Sequence, residues 1–185
     1  MNNTQKYKLD TAGIAAMAVF VPIYIFVRKG IFASVAPQDN LVETVVIICL
    51  MGMYSAIFGY VSAGIGGFLA VVCACSLCAD TSMFGEAFAM ASFGVVLGFF
   101  ADKLKVRDGA FGKKEMLLFM LLNFTVCITA LIYVRPFLDF MLYGKDLFVL
   151  VRVGIIETLI CAVPMGIITT FLIFSISKLI RYVKT

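Results

Sequence analysis

Glu157 demands more of its surroundings than any other residue in this chain. It lies in the last hydrophobic run, Val153 to Ser177, and carries the only formal charge there. A run of about 20 apolar residues crosses a bilayer as a helix. A carboxylate at the centre of such a helix costs roughly 2.5–3.5 kcal/mol on insertion scales. Glu157 stands only about a turn and a half beyond Arg152, so its cost is smaller but real. Two readings follow. Either it is an interfacial carboxylate, paired with Arg152 or solvated by headgroups, or it is a polar group in a pocket near one membrane face.

Few other polar groups lie within apolar runs: Asn123, Thr125, Thr129, Thr158, Ser76 and Ser92. Thr125 and Thr129 are spaced i, i+4 and share one helix face. Cys161 lies one turn below Glu157. A small-molecule pocket is mostly apolar with a few placed polar groups, and these residues fit that pattern with the aromatic Phe20, Tyr24, Tyr133, Phe137 and Tyr143. The expected substrate-binding set is Glu157, Thr125, Thr129, Asn123 and Arg152, with Tyr143 and Asp80 contributing from outside. For the threonines, the alternative is a hydroxyl bonded back to the i−4 carbonyl. Arg135, Arg152 and Lys145 would suit an anionic group on the ligand.

Several chemistries are excluded. The chain has no histidine, which removes zinc hydrolases and histidine-dependent triads. Its six cysteines all fall in hydrophobic runs, where a free thiol is a small packing residue. Cys75 and Cys78 form a C-x-x-C without a second pair, so no metal site is expected. Gly109 to Lys114 is too short between its glycines for a phosphate-binding loop and lacks the terminal Ser or Thr. The expectation is a protein that is not an enzyme and holds no cofactor of its own.

The elements that must position these groups are membrane helices. Hydrophobic residues make up 63% of the chain and charged residues 14%, against about 45–50% apolar in soluble domains. The fold expected is an all-α integral membrane protein, one domain of six transmembrane helices over about 11–27, 42–60, 65–79, 87–101, 116–134 and 153–177. The glycine-dense Gly59–Gly67 reads as a tight turn between the second and third helices, with close packing as its other use. Residues 135–151 form a connection with room for a short interfacial helix.

Charge sets the orientation. Lys6, Lys8, Lys103, Lys105, Arg107, Lys113, Lys114, Lys178, Arg181 and Lys184 fall on one side, and Arg28, Lys29, Arg135, Lys145 and Arg152 on the other. Both termini are therefore expected in the cytoplasm of a bacterial cell, with the chain in its plasma membrane. The opposite face collects a crown of both signs that includes Glu43, Asp80, Glu86, Arg135, Asp139 and Glu157. The net charge of +4 reflects basic loops and carries no sign of nucleic-acid binding. On the first helix, Ala12 and Ala16 make a small-x-x-x-small face with Ala15 beside it, which admits close approach by another helix.

The second half of the chain resembles a known family. The residues that carry the likeness are G-V-V-L-G-F-F-A-D-K-L-K at Gly94–Lys105, G-A-F-G-K-K-E at Gly109–Glu115, R-P-F-L-D-F-M-L-Y at Arg135–Tyr143, then Gly154 and a Gly/Thr-rich last helix ending I-S-K. The run resembles the substrate-binding (S) components of energy-coupling factor (ECF) vitamin transporters, closest to the riboflavin branch. That resemblance implies six helices, an outward-opening vitamin site roofed by the loop after the first helix, and contact of Ala12, Ala15 and Ala16 with a membrane coupling subunit. It also implies two partner ATPase subunits that bind the ATP. The competing class is a small structural or scaffold membrane protein with no tight small-molecule ligand.

Overall fold

The computed structural model describes residues 11–32, 40–77 and 83–184. Among them are eight α-helices, two π-helical segments and no strand. Helix α1 (Thr11–Ile25) runs on into a π-helical segment, Phe26–Phe32. Helices α2 (Asn40–Phe58), α3 (Tyr60–Ser76) and α4 (Met83–Phe99) follow, then the short α5 (Ala101–Leu104). Helix α6 (Lys113–Ile128) continues through a second π-helical segment (Thr129–Val134) into α7 (Arg135–Tyr143). The last helix, α8, covers Leu147–Lys184 and is 38 residues long.

The expected tight turn at Gly59–Gly67 shrinks to one residue. Gly59 has φ of 79°, a left-handed value that only glycine adopts freely. Helical hydrogen bonding resumes at once on either side, with the Gly59 amide donating to Ser55 and the Ala63 amide to Gly59. The other glycines of the stretch lie inside α3 and serve packing. A methyl on Gly67 would meet the Met90 carbonyl of α4, and one on Gly94 would meet the Ala63 carbonyl of α3. The two helices thus touch backbone to backbone, the contact that small residues permit in apolar bundles.

Around this seam α1 packs on α3, and α8 packs on both α2 and α6. Tyr24, Ile48, Met51, Phe93, Leu97, Phe119, Met165 and Ile173 fill the centre. The outside is also apolar: Val19, Phe26, Leu117, Leu121, Leu159 and Phe171 are each 60% or more exposed. Soluble monomers do not present contiguous apolar surface on this scale, and lipid is the solvent that suits it. Three helices are long and apolar enough to cross a membrane: Thr11–Lys29, Lys113–Tyr143 and Ala162–Val183. Three shorter apolar helices accompany them, Val42–Phe58, Tyr60–Ser76 and Phe84–Phe99. The chain fits an α-helical membrane protein, with apolar helices at all six expected places.

The connections are more helical than the sequence promised. Residues 135–143 extend α6 directly, and α8 begins six residues earlier than expected, with the Asp146 carboxylate accepting from the Phe148 amide 2.8 Å away. At the opposite end the 105–112 loop is tied down. The Phe111 amide donates to Ser177 Oγ at 3.2 Å, and the Glu115 carboxylate caps α6 at the Gly112 amide, 3.0 Å away.

A charged cavity at one end of the bundle

The π-helical segment that follows α1, the N-terminal ends of α2 and α4, the start of α7 and the first third of α8 converge at one end of the molecule. Each brings a charged residue. Between them lies a cavity of about 90 Å³ lined by Arg28, Glu43, Glu86, Arg135 and Glu157, with Thr44, Ile47, Ala89, Met90 and Leu131.

Arg28 is the hub. Its Nη1 and Nη2 donate to the two carboxylate oxygens of Glu86 at 2.7 and 3.0 Å, and its Nε lies 3.1 Å from Glu43 Oε1. Tyr24 OH donates to Glu86 Oε1 at 3.4 Å. The forked contact is the strong, oriented form of an arginine–carboxylate pair. It joins α1 to α2 and α4. The Arg28 and Glu86 side chains are only 16% and 17% exposed. Across the cavity, Arg135 Nη1 reaches Glu157 Oε2 through one contact of 3.3 Å. Here the Arg135 side chain is 34% exposed and that of Glu157 12%. On α7, Asp139 is buried beside Gly85 of α4, where any side chain on that glycine would collide with the carboxylate. Lys145 Nζ lies 3.5 Å from Asp139 Oδ2.

Both arginines are delivered by π-helical backbone. Arg28 lies within Phe26–Phe32 and Arg135 directly follows Thr129–Val134. An extra residue in a helical turn re-aims the side chains after it, and such turns recur at functional sites.

The expected site residues distribute as follows. Glu157 is buried in the cavity wall, with Arg135 rather than Arg152 as its partner. Arg152 is exposed on α8. Thr125 and Thr129 face outward, their hydroxyls donating to the Leu121 and Thr125 carbonyls at 2.9 and 3.0 Å. Asn123 is buried, but it sits between Gly52 and Gly166 in mid-bundle. Gly166 is nine residues beyond Glu157 on α8, about 13 Å along the axis. Tyr143 is half-buried, and its hydroxyl accepts the Phe84 amide at 3.2 Å. Asp80 lies outside the described residues. The structure therefore brings Glu157 together with Arg28, Glu43, Glu86 and Arg135, and does not gather Asn123, Thr125, Thr129 or Arg152 around it. The basic residues expected to meet an anion are largely committed, Arg135 to Glu157 and Lys145 to Asp139. On α1, Ala12 and Ala15 are exposed and Ala16 is half-buried. Among the described residues no cluster of side chains has the makings of a metal site.

The chain is similar over nearly its whole length to bacterial proteins called UPF0397 protein. One from Clostridium perfringens is 25% identical over 181 residues, covering 94% of this chain and 93% of the relative. One from Lactobacillus helveticus is 24% identical over 174 residues, covering 91% and 90%. No protein-family profile matches the chain, and no solved structure matches it significantly.

Proposed function

We propose that this chain is the membrane-embedded substrate-binding subunit of an ECF-type importer in a bacterial plasma membrane. It captures a vitamin or related small molecule, riboflavin-like by the sequence resemblance, on the outer side. It spans the membrane six times with both termini in the cytoplasm. It performs no catalysis. A coupling subunit docks along Ala12, Ala15 and Ala16, and two ATPase subunits supply the energy.

The observation that carries this reading is the charged cavity. Five ionisable side chains from five helical segments converge at one end of an otherwise apolar bundle. Burying charge is expensive unless it is paired, and in membrane proteins such charges mark ligand or substrate sites. The cavity lies at the end opposite the most basic loop, where the positive-inside rule places the outer face. The exposure of Ala12 and Ala15 agrees with a helix-docking face on α1.

The test is purification in mild detergent followed by native mass spectrometry and a thermal-shift panel of vitamins. A vitamin-sized mass released on unfolding, or a vitamin that raises the melting temperature, is the expected result. A protein that carries no ligand and responds to no vitamin would instead be a scaffold.

A further inference from the structure

The two ion pairs in the cavity are not equivalent, and the difference bears on what the cavity binds. Arg28 is engaged on every side, by two oxygens of Glu86 and one of Glu43, and its side chain is mostly buried. Arg135 makes one long contact to Glu157 and is twice as exposed as Arg28. Arg28 is therefore a fixture that ties α1, α2 and α4 together. Arg135 is held weakly and has a path to solvent. Among the lining residues there are two guanidiniums and three carboxylates, so the wall carries one negative charge in excess. Lys29, next along the chain from Arg28, is not among the lining groups, although its charge acts on Glu43 from outside the wall.

Resting on the substrate-binding reading above, we infer that the cavity recognises an organic monocation, and that Arg135 is its stand-in on Glu157 when the site is empty. The ligand's protonated amine, quaternary ammonium or azolium group takes the place of the Arg135 guanidinium beside Glu157, and Arg135 swings out to solvent. The exchange is balanced. A cation leaves the carboxylate as another arrives, so no buried charge is left alone at either stage. The swap leaves the charge of the lining unchanged, still one negative in excess, so it favours a cation in either state. An anionic ligand would have to approach three carboxylates, with both guanidiniums already engaged. Departure of Arg135 also enlarges the space. At about 90 Å³ the cavity has room for about three waters, whereas ligand pockets run to about 300 Å³ and more. Ile47, Ala89, Met90 and Leu131 supply the apolar wall for the rest of the molecule.

The experiment compares matched probes on the full-length protein in detergent by thermal shift and calorimetry. The cations are choline and thiamine, the neutral probes 3,3-dimethylbutan-1-ol (the uncharged isostere of choline) and riboflavin, and the anion nicotinate. At least one cation should bind, with its neutral counterpart at least about tenfold weaker. Glu157→Gln should lose the cation response, Glu157→Asp should keep part of it, and Arg135→Gln, which removes the competitor, should bind the cation several-fold more tightly. Size-exclusion profiles and melting temperatures without probe identify any variant that has failed to fold. Loss of cation binding in Arg135→Gln equal to that in Glu157→Gln would overturn the exchange. Binding of riboflavin or nicotinate with no response to either cation would overturn the charge assignment while leaving the transporter reading intact. A cation response in cells that show no uptake of that cation would overturn the transporter reading and leave the charge assignment standing.

Discussion

At the scale of single residues, Arg28 decides the most. It neutralises Glu86 through a forked contact and Glu43 through a third bond, in surroundings where neither carboxylate has much water. Removing one partner of a buried pair strands the other, at a cost of about 3–5 kcal/mol. Arg28→Ala should therefore lower the melting temperature in detergent sharply, and Arg28→Ala with Glu86→Gln should recover part of the loss. Equal melting for the single and double variants would show that the pair is not coupled. The sequence shows Arg28, Glu43, Glu86, Arg135 and Glu157 as charges on one face, but not which of them pair. Arg28 and Glu86 are 58 positions apart, and no periodicity spans that separation. Glu157 illustrates the limit. Its nearest cation in sequence is Arg152, five residues away, while the one that touches it is Arg135, on another helix. Thr125 and Thr129 show it again. Their spacing places them on one face, but the residues around them are apolar on every side, so the pattern does not say whether that face meets the bundle or the lipid.

At the scale of elements, the α3–α4 seam is the firmest part of the bundle. Gly67 and Gly94 each lie where a methyl would run into the opposing backbone, and backbone cannot yield as a flexible side chain does. Gly94→Ala should cost about 1–3 kcal/mol through overpacking, read as a lowered melting temperature. If it were tolerated without loss, the two helices would not approach as closely as described. Hydropathy marks six apolar helices close to their observed positions because a backbone in apolar surroundings has no alternative to internal hydrogen bonding. The π-helical turns at Phe26–Phe32 and Thr129–Val134 were not legible. Nothing in their local composition separates them from α-helix, and the tertiary contacts of Arg28 and Arg135 accompany them. The extension of α6 into α7 was hidden for a related reason. Pro136 looks like a helix breaker, yet it occupies the first turn of α7, where its missing amide costs little.

At the scale of the whole molecule, charge divides the ends. Lys103, Lys105, Arg107, Lys113, Lys114, Lys178 and Arg181 gather at the end with the 105–112 loop, and the cavity with its mixed charges occupies the other. In intact cells, a membrane-impermeant thiol reagent should label Lys145→Cys and spare Lys114→Cys. The native cysteines at 49, 75 and 127 are buried and Cys73 is half-buried, so the two variants are made in a background with the native cysteines replaced by Ser. The reverse pattern would invert the orientation and turn the cavity toward the cytoplasm. The two ends are also mechanically joined. Helix α8, at about 57 Å, is nearly twice as long as a hydrocarbon core is thick. It carries Glu157 near one end and Ser177, clamped to the Phe111 amide, near the other. A force on the basic loop is therefore felt at the cavity through one unbroken rod, as a tiller moves a rudder. Pro164, about a third of the way from Glu157 to Ser177, is where that rod bends most readily.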